Sequence, residues 1–191
     1  MNIVELKITL EDVEPVVSRT LQVPLNIRLD RLHLTIQEAM GWYNCHLYSF
    51  MAAGASWGVS DPDWGGEDLP ANKSTLWDVI EDTGVRTLEY VYDFGDNWEH
   101  RIKIGKITDP VPGELYPKLT MVKGKCPPED VGSTPGYEAF LEAMADPAHL
   151  EHEDMKEWYG RDFDPQAPET EELKAEVLKL AKKWKPRKPK Q

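Results

Sequence analysis

The sequence predicts an α+β domain: a curved, mostly antiparallel sheet with helices packed mainly on one face and a helical C-terminal third. Three observations predict it. Residues 3–10, IVELKITL, and 16–23, VVSRTLQV, alternate apolar and polar side chains and are joined by the polar segment EDVEP, as in an antiparallel pair with one buried face. Residues 87–104 repeat that alternation around a short turn. Further along, apolar residues fall three and four apart, the spacing of amphipathic helices.

The elements follow in order. Val4, Leu6, Ile8 and Leu10 share one strand face; Val17, Arg19, Leu21 and Val23 share a face of the next strand, which Pro24 ends. Leu29, Leu32, Ile36, Ala39 and Met40 form the stripe of a helix over 28–40, with Gly41 where a left-handed cap belongs. His33 lies beside that stripe and is expected to be packed and hydrogen-bonded. HLYSFMA, from His46, reads as a short strand, and residues 55–73, rich in Gly, Asp and Pro, as a long loop. A calcium loop counted from Asp61 fails, because its fifth and twelfth positions hold Gly65 and Asn72.

Thr75 and Asp78 have capping-box spacing and open a short helix. In the hairpin over 87–104 the turn is Gly95-Asp96-Asn97, with Asn97 suited to positive φ. The Pro-rich stretch to Lys125 shows little periodicity. Thr134 then caps a helix with Pro135 at its first position, carrying Tyr137, Phe140, Leu141 and Met144. Asp146-Pro147 breaks it. Leu150, Met155, Trp158 and Tyr159 belong to the next helix, which Gly160 stops, and a final helix spans 169–184. Residues 1–184 are expected to form a single domain and 185–191 a basic disordered tail.

With 191 residues and 40% hydrophobic content, the chain is large enough to bury an ordinary core without staples. The net charge is -12, yet every charged residue after Glu176 is basic. An acidic body repels phosphate backbones, so nucleic acid is disfavoured as a partner except through that tail. No run of about 18 apolar residues argues for a membrane span. Two cysteines without metal or CxxC spacing, behind a non-apolar start, point to reduced thiols in the cytoplasm. P-loop, GxGxxG and HEXXH patterns are absent from the sequence, which disfavours the enzyme classes that carry them.

Two segments concentrate polar chemistry. YDFGDNWEH, residues 92–100, offers Tyr92, Asp93, Asp96, Glu99 and His100; CPPEDVG, residues 126–132, offers Glu129 and Asp130 beside Cys126. Turn geometry and burial account for Phe94 through Trp98 and leave Asp93, Glu99 and His100 unexplained. Strand alternation puts Asp93 and His100 on opposite faces, so His100 needs a carboxylate from elsewhere to act as base or ligand. A third set, His149, His152 and Glu153, has the spacing of one helical turn and the ligand types of a transition-metal site; the same segment also reads as a solvated acidic face. No cofactor is evident, and a divalent metal stays open.

Taken together, PVVSRTLQVP, IQEAMGW, HLYSF, YVYDFGDNWEHRIKI, CPPEDVGSTPGYEAFLEAM and DPAHLEHEDMKEWYGRDFDP resemble the plasmid pRiA4b ORF-3-like family over nearly the whole chain. The family often has a histidine where Tyr48 stands and a glycine where Asn97 stands. The resemblance implies an α+β domain found in plasmid, mobile-element and chromosomal contexts, and it supplies no chemistry. The reading that follows is a binding or interaction module for a protein or small-molecule ligand, with a concave polar-aromatic site formed by the hairpin, the 52–73 loop and the CPPED turn. The alternatives are a metal-dependent hydrolase and an accessory protein of mobile DNA.

Overall fold

The computed structural model describes residues 2–59 and 68–185. Its frame is one sheet. β1 (Ile3–Leu10) pairs antiparallel with β2 (Ser18–Pro24), and on its other side with β7 (Trp98–Thr108). β6 (Thr87–Tyr92) forms the hairpin with β7 and also pairs with β3 (Tyr48–Ala52). β4 (Ala55–Gly58), β5 (Leu69–Pro70) and β8 (Lys118–Lys123) complete the order β5-β4-β3-β6-β7-β1-β2-β8. Among the described residues only the short β4–β5 pairing is parallel, so the sheet is mixed but mostly antiparallel and the fold is α+β, as the alternation predicts.

One face is buried along its centre: Leu6, Ile8, Leu21, Leu88, Tyr90, Trp98 and Ile102 are all inside. The intervening residues of β7, Glu99, Arg101 and Lys103, are exposed. That half-wet alternation is the ordinary state of an antiparallel sheet covered on one side. The cover is α1 (Leu29–Met40) together with α2 (Leu76–Thr83), α3 (Ser133–Ala145), α4 (His152–Tyr159) and α5 (Thr170–Trp184). α1 buries Leu29, Leu32, Ile36, Ala39 and Met40 and ends at Gly41 with φ 88°, its N–H on the Gln37 carbonyl. At α2 the Thr75–Asp78 capping box closes in both directions.

Several expectations are corrected. Residues 55–73 are not all loop: Trp57 is a core residue, and burying it places β4 against β3. The stretch before Lys125 holds β8, which zips onto β2 through backbone bonds that side-chain periodicity does not report. α3 opens at Ser133 after Gly132, itself at φ 95°, with no side-chain cap; Pro135 therefore falls inside the first turn, where a missing N–H costs nothing. Leu150 precedes α4 and is 99% exposed. Phe94 is not a buried strand residue but stands 54% exposed in the β6–β7 turn, because β6 ends at Tyr92. The Asp61-Pro62-Asp63 segment and the tail from 186 onward lie outside the described residues.

Candidate functional site

Three connections meet at one end of the sheet. The first, residues 41–47, leaves α1 through the Gly41 cap; Trp42 turns inward and its indole N–H donates to the Pro127 carbonyl at 3.0 Å. The second is the β6–β7 turn. Asp93 enters the left-handed region at φ 56°, its N–H donates to the Leu47 carbonyl at 2.9 Å, and its Oδ1 accepts the Gly95 N–H at 2.9 Å. Asn97 closes the turn at φ 57°, as the sequence predicts. The third is the 126–132 turn, whose Gly132 N–H donates to Asp96 Oδ2 at 3.1 Å.

Glu129 sits where they converge. Its Oε1 accepts the Tyr43 N–H at 2.7 Å and the Tyr92 hydroxyl at 3.0 Å, while Oε2 is buried without a hydrogen-bond partner among the described residues. Burial, followed by its contacts with Cys45 and Glu129, pushes the Tyr92 phenol well up, so it stays protonated and donates. The Cys45 N–H donates to the same hydroxyl at 3.1 Å. His46 Nε2 lies 3.0 Å from Asp130 Oδ1, 3.5 Å from Asp93 Oδ2 and 4.0 Å from Glu129 Oε2. One imidazole thus stands among three carboxylates.

Beneath this cluster is a layer of aromatic rings that fixes it. The Trp42 ring stacks on Tyr92 and meets His100 edge-on at 5.3 Å. Tyr48 stacks flat on His33 at 3.6 Å, while the His33 nitrogens reach the Tyr90 hydroxyl at 2.8 Å and Asn44 Oδ1 at 2.6 Å. Burial drives both His33 and His100 down to about 4, so each ring is neutral in the core.

Beside the cluster opens a cavity of about 490 Å³. Cys45, Glu129 and Asp130 line it together with Trp42, Trp158 and Tyr159, and Arg19, Lys125 and Arg161 also reach it.

Of the residues singled out from sequence, Tyr92, Asp93, Glu129 and Asp130 are brought together, and Asp96 ties the hairpin turn to the 126–132 turn. Glu99 lies on the solvent face, accepting from Asn97 at 2.8 Å. His100 faces the core: Nδ1 donates to the Trp98 carbonyl at 2.9 Å and to the Tyr90 carbonyl at 3.2 Å. Asp93 does not follow the strand alternation, since the residue has left the strand and takes a turn conformation. His149, His152 and Glu153 are not gathered into a ligand set. His152 Nδ1 donates to the Ala143 carbonyl at 2.8 Å, and His149, ahead of α4, accepts the Glu151 N–H. The sequence reading missed Cys45 and His46. Their signal was position: polar and reactive side chains crowded immediately after a helix cap, in a connection too short to bury them.

A curated relative, the uncharacterized protein y4hQ of Sinorhizobium fredii, is 46% identical over 184 residues, which is 96% of this chain and 94% of that one. The crystal structure of a protein of unknown function, MM3350 from Methanosarcina mazei Go1, shares 34% identity with a TM-score of 0.77, covering 87% of this chain and 94% of the other. The family model described as plasmid pRiA4b ORF-3-like protein matches residues 2–172, and the chain belongs to that family.

Proposed function

We propose that the protein is a binding module whose cavity receives a small molecule bearing a carboxylate or phosphate on an apolar body. Arg19 carries this reading. It is 1% exposed, and its guanidinium donates only to carbonyls: Ala39, Ser18, Lys123 and Gly124. Its Nη2 is buried and has no partner among the described residues. The neighbouring Cys126 thiol is pushed up to about 12 by burial, so it stays neutral and supplies no counter-charge. A buried cation without an anion is costly, and a ligand acid group would supply the missing partner. Lys125 and Arg161, at the same cavity, share the single carboxylate of Glu169 at 2.6 and 3.4 Å. Met40, Trp42, Pro127, Trp158 and Tyr159 provide apolar walls, and the volume is that of ordinary small-molecule sites.

Calorimetric titration with benzoate and with inorganic phosphate tests this. One saturable site per chain is expected, weakened about tenfold, or ~1.4 kcal/mol, by Lys125→Met or Arg161→Ala. The absence of binding by either probe, or affinities untouched by both substitutions, would refute the reading.

A further inference from the structure

We infer that the acidic mouth of the cavity is a metal site, in which Cys45 Sγ, His46 Nε2 and Glu129 Oε2 hold a divalent transition-metal ion of the zinc type. The three residues each offer a ligand atom within 4.8 Å of the others. Metal bonds of about 2.0–2.3 Å set neighbouring ligand atoms roughly 3.3–3.7 Å apart in a tetrahedral site, so small side-chain rotations close the set. Cys45 is exposed and His46 partly so, which leaves both free to make them.

Glu129 is the independent observation. Its side chain is only 8% exposed, yet among the described residues Oε2 has no hydrogen-bond partner. Two donors, the Tyr43 N–H and the Tyr92 hydroxyl, hold the other oxygen and so orient the bare one. Outer partners that fix a ligating carboxylate in this way are what metal centres require. An unsatisfied buried carboxylate oxygen calls for a donor or a cation.

The charge points the same way. Among the described residues, the only basic group within ion-pair distance of Asp93, Glu129 and Asp130 is His46. A dication would offset that excess, with Asp93 and Asp130 adding negative potential around it. Sulfur and imidazole in the set favour zinc-class ions, whereas magnesium and calcium take oxygen ligands. Cys45 and Glu129 both line the cavity, so three protein ligands would leave the fourth position turned toward it. The site uses none of the cationic residues invoked for anion binding, so either proposal can fail without the other.

The test is equilibrium dialysis of the full chain, first stripped with chelator, against zinc chloride, with cobalt(II) as a spectroscopic substitute and no anionic ligand present. One zinc per chain is expected, together with a near-ultraviolet sulfur-to-cobalt charge-transfer band. Cys45→Ser should abolish the band, and both Cys45→Ser and Glu129→Gln should weaken zinc binding at least about tenfold while circular dichroism is unchanged. His149→Ala should leave zinc affinity as it is. No saturable zinc binding, or a cobalt complex without the sulfur band, overturns the proposal. So does zinc affinity that survives Cys45→Ser and Glu129→Gln but is lost in Asp93→Asn, since the ion would then sit on His46, Asp93 and Asp130.

Discussion

At Asp93 the backbone takes φ 56°, a conformation open to Asp and Asn more than to most residues, while Oδ1 accepts the Gly95 N–H and Oδ2 faces His46. The carboxylate therefore has a structural bond and a separate electrostatic neighbour. Asn keeps the first, because its carbonyl accepts the same N–H. Asp93→Asn should change stability by less than about 1 kcal/mol in urea denaturation. Asp93→Ala loses the bond and pays for positive φ as well, and should cost about 2 kcal/mol. Equal losses in the two variants would show that the charge itself holds the turn. The buried histidines make a pH prediction. An unfolded histidine takes its proton near pH 6.5, whereas His33 and His100 do so only near 4. Between those values the unfolded chain binds more protons, so stability present above pH 6.5 is lost as pH falls toward 4, on the order of 3 kcal/mol per histidine. His100→Phe should flatten the decline between pH 7 and 4.5 relative to wild type; an unchanged slope would show that the ring charges inside the fold.

At the scale of elements, the 126–132 turn must be held against both the α1–β3 connection and the hairpin, and its rear support is α3. A Cβ at Gly136 would collide with the Val131 carbonyl. Gly136→Ala should thus push the turn off its seat, with a stability cost of roughly 2 kcal/mol by overpacking and a fall in zinc affinity as Glu129 shifts. Thr75→Ala offers the contrast. It removes the α2 capping box beside Arg28, at the end of α1 opposite Gly41, and should cost about 1 kcal/mol while leaving metal binding unaltered. If Thr75→Ala lowered zinc affinity as much as Gly136→Ala, general loosening would explain both.

Over the whole molecule, what the sequence made legible is what has a period or a cap. β1, β2, α1, α2, β6, β7 and α5 announce themselves by alternation, helical spacing, Gly41 or the Thr75 box. β4, β5 and β8 are short or lie at the sheet's edges, where backbone pairing decides and side chains carry little pattern. The site was half legible for the same reason. Tyr92, Asp93, Glu129 and Asp130 stand in dense polar segments, but Cys45 and His46 join them only because the chain folds three connections together across more than eighty residues. Burial of Arg19 is implicit in its place between Val17 and Leu21, although nothing local shows that carbonyls of α1, of the last residue of β8 and of Gly124 would receive it. The family match ends at residue 172, yet the fold does not: α5 runs to Trp184 and packs Val177 and Ala181, 0% and 1% exposed, into the interior. Val177 belongs to the same core as Leu21, Phe140 and Tyr137. Val177→Asp would leave an unpaired carboxylate there and should cost roughly 3 kcal/mol or more. The exposed control Leu178→Asp, one position along the same helix, should stay within about 0.5 kcal/mol. Thermal denaturation of the pair decides the matter, because equal and small effects would make α5 an appendage rather than part of the domain that holds the cavity.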